Sequence, residues 1–346
     1  MRTMTATSPD PSPNPSAARR SIEALALGDA FGERWFPLFR DRRRAYDEIR
    51  ARAVPEESPW PWTDDTAMAL GVLSVLNDHG KVDQPRLAQT LADTFLSDPG
   101  RGYGSGMHEL LPSLAAAPTS WPSATRALFG GEGSLGNGAA MRVAPLGAWF
   151  SADPDHAAEQ ARRSAEVTHA HPQGIAGAVA VAVAASLTAS RVQTPEPAPD
   201  GRASTPEPTA QPTPEPTPDG SASTPEPAPD LLARVADRTP PGPVRDGLIH
   251  AIALPPTTTP RQAADRLGSG RRIRADDTVP FALWCAARHQ DDLIAALWAT
   301  AEGLGDVDTT CAIVGGVVGA GTGISAVPAA WLGRREPLPA WVAALS

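Results

Sequence analysis

Residues 194–230 read TPEPAPDGRASTPEPTAQPTPEPTPDGSASTPEPAPD, and this run limits what the whole chain can fold into. It nearly repeats itself, TPEPAPDGRASTPEP against TPEPTPDGSASTPEP, and apart from Pro it holds no apolar side chain larger than Ala. Such a segment cannot bury a core and is expected to be disordered, running as polyproline-like chain. Fully extended it would reach ~100 Å at ~3.1 Å per residue. It therefore either joins two domains or interrupts one.

The flanking sequence has a different character. At 346 residues the chain suffices for one large domain or two small ones. Only 5% of residues are aromatic, and β-branched runs are short. SIEALALGDAFG places Ile22, Leu25 and Ala26 at helical spacing behind a capping Ser21. TAMALGVLSVLNDHG does the same and stops at Gly80. DQPRLAQTLADTFL, DPDHAAEQARRSAEVTH, GIAGAVAVAVAASLTAS, DLLARVADR, DDTVPFALWCAARH and DDLIAALWATAEG read alike, and no alternating strand is evident. The expected fold class is all-α, with helices packed closely through small residues. Residues 1–17, rich in Ser, Thr and Pro, are expected to be a disordered tail before a domain spanning 18–346.

A formal charge of −9 argues against a nucleic-acid-binding surface. Cys285 and Cys311 each sit in an apolar helical pattern, as free thiols of a reducing compartment do. The first twenty residues lack the apolar core of a secretory signal, and GIAGAVAVAVAASLTAS looks too short to span a bilayer. A cytoplasmic monomer without membrane attachment is expected.

Four segments interrupt the helical pattern. In LALGDAFGERW, Gly28 and Gly32 bracket Asp29; glycine inside a helix costs ~1 kcal/mol relative to Ala, so close packing or approach to a ligand is expected. In WTDDTAMAL, Thr63 or Asp64 can cap the following helix, but capping does not require Asp64 and Asp65 together. GLGDVDTTCAIVGG repeats the arrangement with Asp306, Asp308 and Thr309. Four carboxylates and two hydroxyls form an oxygen-only ligand set, suited to two Mg²⁺ or Mn²⁺ ions rather than zinc. Two such ions ~3.5–4 Å apart would offset the repulsion and grip vicinal hydroxyls. Each flank of the Pro-rich run then carries half of one site, which makes the run an insertion in a single domain; loop length adds entropy only slowly. In GGEGSLGNGAAMRVAPLG the glycines leave backbone N–H groups open to a phosphate, without a Walker pattern. His169 and His171 in VTHAHPQG stand at another helix start.

Taken in order, GDAFG, WTDDTAMAL, GSLGNGAAMRVAPLG, THAHPQG and GDVDTTCAIVGGVVGA resemble the ADP-ribosylglycohydrolase family. The resemblance implies an all-α, orthogonally packed domain with a dinuclear Mg²⁺ or Mn²⁺ cleft and hydrolysis of the glycosidic bond joining ADP-ribose to a protein side chain, arginine or serine, or to a related small ADP-ribosyl substrate. It implies metal ligation by Thr63, Asp64, Asp65, Asp306, Asp308 and Thr309. Substrate contacts are implied for Asp29, for Gly133, Ser134, Leu135, Gly136, Asn137 and Gly138, and for His169. Asp64, Asp65 and Asp308 are the expected catalytic acids. Where family members often carry a glutamate seven residues after the GDAxG aspartate, this chain has Phe36; Glu33 is the nearest acid and the expected stand-in. A non-catalytic ADP-ribose-binding relative and a metal-dependent nucleotide phosphohydrolase are the alternatives.

Overall fold

The computed structural model describes residues 12–192 and 229–346; the expected tail up to residue 11 and the TPEP repeats lie outside them. Helix α1 (Pro15–Glu33) starts inside the expected tail, because the Asn14 side chain accepts the Ala17 N–H and its backbone N–H donates to Trp149 O. Then follow α2 (Arg42–Arg50), α3 (Asp64–His79), α4 (Gln84–Ser97), α5 (Ser105–Ala116) and α6 (Trp121–Ala127). After the glycine loop come α7 (Ala144–Trp149), α8 (Pro154–Glu166) and α9 (Pro172–Ser190). Beyond the repeats are α10 (Pro229–Arg238), α11 (Pro243–Ile252), α12 (Pro260–Leu267) and α13 (Ala275–Arg288). The chain closes with α14 (Leu293–Ala301), α15 (Val307–Thr322) and α16 (Ala329–Arg334). Among the described residues there is no strand, only the isolated bridges Trp60–Arg335 and Gly136–Arg274. Because α10 begins at Pro229, the last two residues of the expected insertion are helical.

The central pair is α1 against α15, and glycines set its separation. A Cβ at Gly28 would stand 2.1 Å from Cys311 O, and one at Gly315 2.4 Å from Ala24 O. Gly32 is equally confined, 2.5 Å from the Asp308 Cα. Of the two expectations for the first motif, the structure realises packing. Gly28→Ala is expected to cost about 1–3 kcal/mol through overpacking, read as a lowered denaturation midpoint with an unchanged slope.

Helices from both sides of the repeats pack together: α9 lies against α10, α11, α13 and α15 as well as α7 and α8. Contrary to the reading of its sequence, α9 is long and apolar enough to cross a membrane. Its placement is that of a core helix, with 83% of the apolar window buried inside the protein. Its small residues are what admit neighbours so closely, as where a Cβ at Gly147 of α7 would meet Ala182 O at 2.0 Å.

Candidate active site

The Thr63 hydroxyl caps α3 by accepting the Asp65 N–H at 3.3 Å. Capping is thus done by the threonine, leaving Asp64 and Asp65 in the first turn with carboxylates free for other work. Asp29, one turn from the end of α1, fixes this helix start from behind. Its carboxylate accepts from the backbone N–H and the hydroxyl of both Thr63 and Thr66, at 2.6–3.1 Å. On the open side the Asp64 N–H donates to Arg101 O at 2.8 Å. Arg101 is itself held by two bonds to Glu336 and stacks 3.6 Å over the Trp62 ring.

The start of α15 supplies the facing wall. Asp306 occupies its cap position but makes no side-chain cap bond; its Oδ2 accepts from Asn137 Nδ2 at 2.7 Å. Asp308 accepts the Thr309 N–H at 2.7 Å. The two helix starts meet at Asp65 Oδ2, which lies 3.1 Å from the Thr63 hydroxyl oxygen and accepts from the Thr309 hydroxyl at 3.3 Å. Its other oxygen, Oδ1, is buried and has no partner.

Electrostatically this corner lacks positive charge. Burial, then Asp29, pushes Asp64 up to about 7. Asp65 lies well above the usual carboxylate range through burial and then Asp29 and Asp308; Asp308 does so through burial and then Asp306. Asp306 is raised too, by burial first, with the Asn137 bond opposing. Asp306 and Asp308 retain some exposed surface, but it faces into the cavity, so the surrounding protein still displaces most of their water. Arg272 and Arg274, on the same cavity, are committed to Asp277 and Asp276.

The cavity encloses about 600 Å³. Asp64, Asp65, Asp306, Asp308 and Thr309 form one end, and Gly133–Gly138 with His169 form a side. At Gly133, φ is +72° and a Cβ would stand 2.9 Å from His171 N, so only glycine fits there. His169 Nε2 lies against Gly136 and Gly138, where a Cβ would approach it to 3.4 and 3.2 Å. Burial, then Arg142, pushes His169 down to about 3, so its imidazole is neutral.

Not every expected residue reaches the cavity. Asp29 is fully buried behind α3 and braces Thr63 and Thr66. Glu33 is half-buried at the end of α1 and lies off the cavity lining, with its carboxyl raised by burial and then by Asp29. Thr63 supports the carboxylates from beneath, and His171 caps α9 by accepting the Gln173 N–H. Conversely, the structure adds Gly102, Gly104–Met107, Phe129, Met141 and the Arg272–Arg274 turn to the walls. Phe129 and Ile273 stand out at the mouth: both are non-glycine residues at positive φ, +52° and +53°, and they are 57% and 60% exposed. The glycines in GRGYGSG and GSGRRIR were the available sequence signal for these turns.

A hard cation fits the acidic end chemically. Asp65 Oδ1 is an orphaned buried oxygen, and every donor is a carboxylate or hydroxyl. Among the described residues, no three Asp, Glu, His or Cys side chains converge as a ligand cluster by themselves. The hydroxyls of Thr63 and Thr309, with water, would have to complete the set.

The sequence profile of the ADP-ribosylglycohydrolase family matches residues 11–346. ADP-ribosylhydrolase ARH3 of Bos taurus is 28% identical over 283 residues, covering 78% of this chain and 73% of that protein. The Homo sapiens ARH3 is 28% identical over 285 residues with the same coverage. A solved structure described as an ADP-ribosylglycohydrolase-related protein complex superposes with TM-score 0.60 at 24% identity, covering 96% of this chain and 95% of that one, which establishes the shared all-α fold. With a profile match over nearly its whole length, this chain belongs to the ADP-ribosylglycohydrolase family, hydrolases of glycosidic bonds to ADP-ribose.

Proposed function

We propose that the protein hydrolyses the bond between C1″ of ADP-ribose and a serine or arginine side chain, using a pair of divalent cations at the acidic end of the cavity. The observation that carries this reading is the division of one cavity into three chemistries. Asp64, Asp65, Asp306 and Asp308 stand at one end, the Gly133–Gly138 loop and a neutral imidazole along the side, and apolar Phe129 and Ile273 at the mouth. A distal ribose, a diphosphate and an adenine present chemistries complementary to these three.

In this reading, the Gly133–Gly138 loop lies along the diphosphate and adjoining ribose; the Gly133, Gly136 and Asn137 N–H groups are bonded within the protein to Leu128 O, Ser134 Oγ and Ile273 O. Asp64, Asp65, Asp306 and Asp308, with Thr63 and Thr309, would hold the cations; the all-oxygen donor set suits Mg²⁺ or Mn²⁺. Bound there, such cations supply positive charge for gripping the 2″ and 3″ hydroxyls. Water adds its oxygen to C1″ as the C1″ bond to the side-chain O or N breaks. A carboxylate of the set takes the water's proton, and a proton returns to the departing side chain. Carboxylates near C1″ stabilise the positive charge that develops on the ribose ring.

Turnover of ADP-ribosyl-serine and ADP-ribosyl-arginine peptides, with Mg²⁺ and with chelator, tests the reading. Intact ADP-ribose is the expected product, formed only with the cation. Release of phosphate would identify a phosphohydrolase, and ADP-ribose binding without turnover would identify a binding relative. Phe129→Ala is expected to weaken ADP-ribose binding about tenfold, since base–aromatic stacking is worth about 1–3 kcal/mol. Calorimetry with ADP-ribose and with ribose 5-phosphate checks this, because only the adenine-bearing ligand should respond. Deleting residues 194–228, which stops short of α10, should leave melting temperature and turnover nearly unchanged.

A further inference from the structure

Arg142 is fully buried and forms no ion pair among the described residues. A guanidinium without a counter-charge is costly in a protein interior, so its contacts bear on why it is there. Its Nη2 donates to Ser164 O at 2.8 Å and to the Thr168 hydroxyl at 2.9 Å, while Nε and Nη1 have no partner. The Thr168 oxygen lies 2.8 Å from His169 Nδ1. These contacts form a chain from a permanent cation, through one hydroxyl, to the imidazole on the cavity wall.

Hydrogen-bond accounting gives the chain a direction. A hydroxyl has one proton to donate and two lone pairs to accept with. The Thr168 oxygen accepts from Arg142, which cannot do anything but donate. The acceptor in reach of the Thr168 proton is His169 Nδ1. With the Thr168 proton directed at Nδ1, that nitrogen is unprotonated and the proton of the neutral ring sits on Nε2, the atom beside Gly136 and Gly138.

We propose that Arg142 and Thr168 are positioning residues that hold His169 in the Nε2–H tautomer, making it a fixed, neutral hydrogen-bond donor to a ligand oxygen at the glycine loop. The opposite tautomer would turn a lone pair toward the ligand oxygens and repel them. Burial opposes a second proton on the ring, and the guanidinium acts in the same sense. The identity of the ligand oxygen, a diphosphate or ribose oxygen, rests on the ADP-ribose reading above; the tautomer does not.

Long-range ¹H–¹⁵N correlation spectra of the full chain with ¹⁵N-labelled histidine test this directly. The His169 signals are identified among the seven histidines by their loss in His169→Gln. The expected result is a neutral Nε2–H ring between about pH 5 and 8, in ligand-free protein. Thr168→Val is expected to shift His169 toward Nδ1–H or a mixture and to weaken ADP-ribose binding about tenfold. Thr168→Ser, which restores the hydroxyl, is expected to recover both. An Nδ1–H or charged ring in the unaltered protein overturns the proposal. So does an unchanged tautomer in folded Thr168→Val protein, and so does loss of the Nε2–H form in Thr168→Ser. The spectrum of the unaltered protein decides the matter even where the valine variant does not fold. Failure of ADP-ribose to bind a protein with the expected tautomer would count against the functional reading instead.

Discussion

Protein carrying Asp64→Asn together with Asp308→Asn is expected to lose ADP-ribosyl hydrolysis by about 10³-fold or more, yet to melt higher than the unaltered protein when no divalent cation is present. The two effects share one cause. Asp64 and Asp308 are held in a corner where burial and neighbouring aspartates oppose ionisation. Asparagine keeps the shape, and its oxygen can still accept the Thr309 N–H that Asp308 accepts now, but it cannot ionise. Removing two buried groups whose ionisation the corner opposes relieves the repulsion on Asp65. For a chain of this size each kcal/mol recovered raises the melting temperature by about 2–4 °C. Undiminished turnover would sink the proposed two-cation site. Loss of turnover accompanied by a lower melting temperature would show that the aspartates are needed for folding instead. Charge kept against stability is what a functional site leads one to expect.

The cation-free protein is also expected to lose stability as pH rises, opposite to the usual behaviour of paired carboxylates. Asp29 and Asp64 stand at about 6 and about 7 in the folded protein, against 3.8 for an ordinary aspartate; Asp65 and Asp308 stand well above it. Between those values the folded state binds more protons than the unfolded state, so stability falls with increasing pH. The contribution is fully present below 3.8 and is lost as pH rises through about 6 and about 7, with Asp65 and Asp308 extending the decline upward. Mg²⁺ or Mn²⁺ should reverse it, because a ligand at 100 times its Kd stabilises by about 2.7 kcal/mol and cations bind the ionised set. Thermal melts in chelator and in Mg²⁺ at acid and neutral pH provide the check. A melting temperature that climbs with pH in chelator, or an equal Mg²⁺ shift at both, would contradict the expectation.

Much of the acidic end could be read from the chain because its chemistry lies in consecutive residues. Thr63–Asp64–Asp65 and Asp306–Val307–Asp308–Thr309 each carry more carboxylate than a helix cap uses. The structure explains the surplus: Thr63 does the capping, and Asp306 turns to Asn137 instead. Other residues were harder to read because their roles depend on direction. Asp29 and Glu33 lie one turn apart on α1, yet neither faces the cavity; Asp29 points to the back of α3. Phe129 and Ile273 carry no motif, since single residues in left-handed conformation leave no periodic trace in a sequence.

Sequence alone therefore determined the helical class, the two acidic helix starts, the glycine loop and the family they resemble. Each of these is a local property, of side-chain type, spacing or backbone freedom within a few residues. Only the tertiary structure decided which of these segments share a cavity, that Gly28 and Gly32 serve helix packing, and that Arg142 meets His169 through Thr168. Those outcomes depend on which face each helix turns toward its neighbours. That is set by how α1, α9 and α15 approach through their small residues, a long-range condition that no short stretch of the chain contains.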